Sequence, residues 1–178
     1  MPWSIDTFVN SLKPYAGQDE ISKLIESCSQ LRSDSNPEKK ATFVKCLMDN
    51  FDKQFPEDVR VKVMENCGRS CIGNSIIQAA KRVKKNAKSL DELVNCLNKH
   101  HIGGGKLRLE DNKICAVYER CYCGMVSKTK EKFSSTYCNC SRGWFLELFE
   151  KLFEKPINVD LVESIIQGAK TCKFVIYV

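Results

Sequence analysis

His100-His101-Ile102-Gly103-Gly104-Gly105, the run H-H-I-G-G-G, divides the chain into two textures. Three consecutive glycines lose too much backbone entropy to sit inside a helix, so the run reads as a hinge. Before it, apolar residues recur at helical spacing: Ile5, Phe8, Val9 and Leu12, then Ile21, Leu24, Ile25 and Cys28 on to Leu31. Asn36 caps a third helix that opens with Pro37 and carries Phe43, Val44, Leu47, Met48 and Phe51 inward. Pro56 opens a fourth with Val59, Val63, Met64 and Cys67 on one face, running to about Cys71. Ser75 to Val83 and Leu90 to Leu97 complete a helical half, residues 1–101.

After the glycines, Lys106 to Leu109 and Ile114 to Tyr118 alternate around E-D-N-K, which predicts a β-hairpin. Cys121 to Val126 is expected to extend its second strand and Lys132 to Cys138 to form a third. Trp144, Phe145, Leu148, Phe149, Leu152 and Phe153 share one face of a helix expected from Ser141 to about Glu154. Ile157 to Val162 and Cys172 to Val178 read as closing strands. The expectation is one α+β domain over 1–178, with a helical half packed on an antiparallel sheet (102–178) that carries one long helix.

At 178 residues the chain is long enough to bury a core without covalent staples. Its charge of +6 is spread evenly: residues 1–100 hold 16 basic and 13 acidic side chains, and 101–178 hold 12 and 9, so each half is +3. The densest basic run, Lys81, Arg82, Lys84 and Lys85, lies opposite Ile76, Ile77 and Ala80 on a helix and reads as a solvated face, with no nucleic-acid partner expected. No apolar run approaches the ~20 residues of a membrane span. The start M-P-W-S-I-D-T-F lacks a basic region leading into an apolar one, which points to a cytoplasmic, reduced setting.

Eleven cysteines then call for chemistry. Three close pairs stand out: Cys67 with Cys71 at helical spacing, Cys121 with Cys123, and Cys138 with Cys140 at strand spacing. Zinc, and behind it an iron–sulfur cluster, takes four such ligands, and a hairpin bringing C-Y-C onto C-N-C supplies them. Metal ligands, unoccupied thiols and disulfides all remain open for these pairs. Cys28, Cys46, Cys96 and Cys115 fall within apolar stripes and read as core side chains. His100 and His101 read as caps for the preceding helix rather than ligands. A cysteine nucleophile is the enzymatic route, with Cys71 near Arg69 and Cys140 near Arg142 just before a helix.

The segment from C-N-C-S-R-G-W through G-A-K-T-C-K-F, and in it Gly143, Trp144, Gly168, Cys172 and Phe174, resembles the C-terminal half of the vinyl-reductase-type small-molecule-binding domain and of aminothiazoline-carboxylate hydrolase-like proteins. That resemblance implies a pocket for a small apolar or aromatic ligand, with Trp144, Tyr122 and Arg142 as candidates to contact it, and frequently a homodimer. It also implies a zinc site whose first ligand is Cys138 or Cys140 and whose last is Cys172. The family's middle cysteine is replaced by Ser164, and Asp160 or Glu163 departs from the acidic spacing, so Cys121, Cys123, Cys67 and Cys71 would supply what is missing. The combined expectation is a small-molecule-binding protein, with hydrolysis by Cys140, Cys71 or a metal-activated water as the alternative.

Overall fold

The computed structural model describes residues 4–28, 35–129 and 131–178. Six helices come first: α1 (Ile5–Leu12), α2 (Gln18–Glu26), α3 (Pro37–Gln54), α4 (Glu57–Cys71), α5 (Asn74–Asn86) and α6 (Leu90–Lys99). Their starts follow local chemistry. The Ser4 hydroxyl accepts from the Thr7 amide, the Asn36 carbonyl oxygen accepts from the Lys39 amide at 2.8 Å, and Ser89 accepts from Glu92. Each satisfies an amide that the first turn leaves without a partner. Helix α2 stops at Glu26, short of the expected Leu31, which with Ser33 and Asp34 lies outside the described residues.

Strands β1 (Leu107–Glu110) and β2 (Lys113–Tyr118) form the expected hairpin. Glu110 pairs with Lys113, leaving Asp111 and Asn112 as a two-residue turn at φ 48° and 60°, the left-handed pair that a tight hairpin needs. After α7 (Asn139–Phe153), β3 (Asn158–Glu163) and β4 (Cys172–Tyr177) complete a four-stranded antiparallel sheet in the order β1-β2-β4-β3. The architecture is α+β, as the two textures implied.

Two expected strands are absent. Cys121 to Val126 is irregular chain and turn, because β2 pairs with β4 only from Lys113↔Tyr177 to Tyr118↔Cys172 and no strand continues beside it. Lys132 to Cys138 ends in a 3-10 turn, Ser135–Cys138, opened by the Ser134 hydroxyl accepting from the Thr136 amide at 3.0 Å. Alternating composition was a poor guide where no ladder partner existed. Cys28 and Cys46 also differ from expectation: they are joined by a disulfide that ties the end of α2 to α3.

Packing divides the molecule differently from its sequence halves. One core gathers α1 to α4 with Val126, Phe133, Tyr137 and Cys138; the other sets α5 and α6 with the sheet and the apolar face of α7. Helices α4 and α7 join the two. A Cβ on Gly68 would lie 1.8 Å from the Cys140 carbonyl oxygen, and one on Gly143 would lie 2.0 Å from that of Glu65. The two backbones are therefore in direct contact. Arg69 donates to Glu150 at 2.6 and 2.9 Å and to Glu147 at 3.1 Å, while Arg142 pairs with Glu65, so ion pairs reach across in both directions.

A second polar tie anchors the 135–138 turn. Thr136 donates to Asp52 at 2.6 Å, and Arg60 bonds both Asp52 and Thr136. Burial raises the Asp52 pKa, but hydrogen bonds from Ser134, Thr136 and Arg60 and the arginine's charge outweigh it, and the net value is lowered.

Gly68→Ala and Gly143→Ala are each expected to destabilise the fold by about 3 kcal/mol, the upper range for inserting atoms into a packed contact. Gly124→Ala, which meets nothing within 4 Å, should stay within about 0.5 kcal/mol in the same urea titrations. Because the folded Asp52 value is depressed, its stabilisation is present above the unfolded pKa and lost as pH falls through the folded one. Asp52→Asn should accordingly flatten the acid limb of stability against pH; an unchanged limb would assign that limb to other carboxylates.

Candidate functional site

A cleft of about 810 Å³ opens between the two cores. One wall is the glycine turn, where Gly103, Gly104 and Gly105 all have positive φ (69°, 85° and 71°). Glycine is required there twice over. A Cβ on Gly104 would fall 2.4 Å from the Tyr118 ring, and one on Gly105 would fall 3.1 Å from His101 Nδ1. Tyr118 thus lies flat against bare backbone, where it also contacts Phe145, Phe174 and Tyr122. The opposite wall comes from Cys71 and Ile76, with Cys140, Ser141 and Trp144 from the start of α7. Tyr122, Cys123, Gly124 and Met125 close one end, and Lys40 brings an ammonium to the border.

His100 and His101 both line this cleft. His100 is the C-cap of α6, as its position implied, but His101 takes a left-handed backbone, φ 54° and ψ 23°, which costs a side-chain-bearing residue about 1 kcal/mol. Strain of this kind is most often kept where it aims a side chain at something. The Tyr118 hydroxyl has no hydrogen-bond partner among the described residues, and burial pushes its pKa up. These features were hidden in the sequence, since the cleft draws on five separated segments; only the glycine run marked its place.

Of the seven cysteines expected to act together, Cys71, Cys123 and Cys140 line the cleft, and Cys67, Cys121, Cys138 and Cys172 do not. Cys71 and Cys140 line the cleft and are hydrogen-bonded to one another; that bond, then burial, then the charge of Cys71, Cys67 and Cys123 hold Cys140 well above the ordinary thiol value. Cys123 shares a hydrogen bond with the Tyr137 hydroxyl at 2.9 Å. Cys67 is buried and lies 3.8 Å from the Ser11 hydroxyl. Cys138 points away from the cleft toward Ser164, 2.9 Å away, and is pushed up to about 12 chiefly by burial, with Cys172, Cys121 and Cys123 adding to it. Cys121 is raised to about 11, again by burial first. Cys172 accepts from the Ile165 amide at 3.3 Å.

The split has a simple cause. Cys138 and Cys140 sit in helical rather than extended backbone, so two residues of separation turns their side chains apart. Among the described residues, no three His, Cys, Asp or Glu side chains are placed to share one metal ion. Trp144 and Tyr122 do border the cleft. Arg142 does not: it donates to the Val159 carbonyl at 2.6 Å and pairs with Glu65, so it ties α7 to β3 and α4.

The chain belongs to DUF6144, a family of unknown function, which matches residues 6–178. The residues that carried the vinyl-reductase-type resemblance fall inside that match. No curated protein matches. Among solved structures the chain is similar to an H-NOX protein from S. oneidensis in its Fe(II)NO ligation state, with a TM-score of 0.51 and 14% identity over 99% of this chain and 98% of that one. That likeness is one of fold.

His101→Gly should leave the unfolding free energy of the ligand-free protein unchanged or raise it by about 1 kcal/mol, since the left-handed strain is relieved. A loss of more than about 1 kcal/mol in chemical denaturation would show that the imidazole holds the glycine turn together rather than waiting for a cleft ligand.

Proposed function

We propose that this protein binds a small, flat, largely apolar molecule between its two cores and acts as a binding or sensing module rather than a catalyst. The observation that carries this reading is the cleft itself. Its volume falls within the range of small-molecule sites, and it combines aromatic and aliphatic walls (Tyr118, Tyr122, Trp144, Ile76, Ile102) with a few polar groups at defined places. The unpartnered Tyr118 hydroxyl and the strained His101 supply directional contacts.

The neighbouring H-NOX structure contains iron(II) and nitric oxide. Donor chemistry here fits an iron-bearing planar group: imidazole and thiolate are side chains that hold haem iron, and His100, His101, Cys71, Cys123 and Cys140 all border the cleft. His100 or His101 would hold such an iron, with Tyr118, Trp144 and Lys40 among the other residues that line the cleft. When bound, the iron would supply a coordination position for a small gas.

Hydrolysis is less well supported. A nucleophilic cysteine needs a lowered pKa, whereas the hydrogen bond to Cys71 and burial both raise that of Cys140.

Hemin and iron-free protoporphyrin are the first probes. A ligand at about 100 times its Kd stabilises the fold by about 2.7 kcal/mol, which for a chain of this size raises Tm by about 5–10 °C. Trp144→Ala should remove most of that shift for both probes. His100→Ala or His101→Ala should change the absorption spectrum with hemin only. If neither probe, nor any member of a flat aromatic library, raises Tm by more than about 1 °C at saturating concentration, the cleft is not a site for this class of molecule.

A further inference from the structure

We propose that Cys71 and Cys140 are a redox-active dithiol that closes into a disulfide when a hydroperoxide enters the cleft, and that this closure changes what the cleft binds. The dithiol stands on the backbone contact of α4 with α7, on the cleft the two sulfurs share and on the hydrogen bond between them; its effect on binding rests on the function proposed above. Cys71 is the last residue of α4 and Cys140 lies in the first turn of α7, the two helices whose backbones touch at Gly68 and Gly143. With the helices held that close, the two sulfurs are hydrogen-bonded to each other, and both line the cleft. Both therefore sit at the ends of helices in direct backbone contact.

Both cysteines are half-buried at the cleft wall, and the hydrogen bond to Cys71, then burial, hold Cys140 well above the ordinary thiol value. In a coupled dithiol the first proton leaves more easily than the second, because the remaining S–H stabilises the thiolate. In this proposal Cys71, the last residue of α4, takes the attacking role and Cys140 the resolving one. The Cys71 thiolate takes one oxygen of the hydroperoxide, whose O–O bond breaks; the departing oxygen leaves as water or an alcohol, and Cys71 becomes a sulfenic acid. The Cys140 sulfur then forms the S–S bond and expels hydroxide, which takes the Cys140 proton and leaves as water. Two electrons pass from the sulfurs to the peroxide. Two S–H bonds and one O–O bond are exchanged for one S–S bond and the new O–H bonds.

Cys28 and Cys46, already bridged at the far side of α3, provide an internal control that does not change. Full-length protein with the Cys28–Cys46 bridge intact, treated with hydrogen peroxide, then alkylated and digested, should yield a linked Cys71/Cys140 peptide that appears as the intact protein loses two hydrogens, and dithiothreitol should unlink that peptide. Cys140→Ser should leave Cys71 as a sulfenic acid that dimedone traps. Cys71→Ser should leave Cys140 unmodified over the same time. Should Cys140→Ser fail to fold, the wild-type peptide map still decides the matter. A link from either residue to a different cysteine, or oxidation of Cys96 or Cys115 ahead of the pair, would overturn the dithiol. Because this map is made without ligand, it stands or falls separately from the hemin titration. Repeating that titration on oxidised protein should show an affinity changed by about fivefold or more; equal affinity in a linked protein overturns the coupling to the cleft.

Discussion

Helices α4 and α7 meet without side chains between them, and most of the molecule is arranged around that contact. Gly68 rests on the backbone at Cys140, and Gly143 rests on the backbone at Glu65. A helix pair held 8–10 Å apart by ordinary side chains cannot approach so closely. The approach sets Cys71 against Cys140 and Trp144 against the cleft, and lets Arg69 and Arg142 each reach carboxylates on the other helix. These ion pairs are half-buried, so each adds modest stability beside the packing they surround. Their larger effect is on register: Arg69 spans Glu147 and Glu150, and sliding α7 by one turn would break those bonds.

The glycine turn performs the complementary task. It ends α6, reverses the chain into β1 and leaves a strip of bare backbone that only an aromatic ring can cover closely. Tyr118, the last residue of β2, supplies that ring, and Asn98 fixes the turn from the helix side by donating to the Leu107 carbonyl at 2.8 Å and accepting from its amide at 2.7 Å. The cleft is then the space left between two close approaches, one of helix on helix and one of ring on backbone. Bare glycine backbone lines one side of the cleft and the helix ends the other, with Met125 and Lys40 at its border.

How far this was legible in the sequence depends on the range of the determining interaction. Helix starts were readable at Asn36 and Pro37, and the hairpin at Asp111 and Asn112, because their chemistry lies within four residues. The apolar rows of α3 and α7 gave their buried faces for the same reason. Cys121 to Val126 misled because alternation reports a strand only if a neighbouring strand exists, and β4 ends its pairing at Tyr118↔Cys172. The Cys28–Cys46 bridge, the pairing of Cys71 with Cys140 and the contact of Gly68 with Cys140 all depend on residues 18 to 72 positions distant, which spacing cannot reveal. His100 and His101 were judged as a helix cap, and His100 is one; that they also face the cleft follows from the positive φ of His101, a consequence of the glycines after it.

The thiol chemistry follows from the same arrangement. Burial raises Cys121, Cys138 and Cys140, so these sulfurs stay protonated near neutral pH and behave as polarisable, uncharged groups. Cys140, with Cys71, Cys123, Tyr118, Trp144, Met125 and two imidazoles, makes a cleft that is soft and aromatic rather than charged, with Lys40 the only fixed cation among the described lining residues. A strongly anionic ligand would meet too little compensating charge to repay its desolvation, whereas a flat polarisable one loses little water and gains contact on both faces. The glycine crossing sets Cys71 against Cys140, where the S–H of one sulfur can stabilise a thiolate on the other.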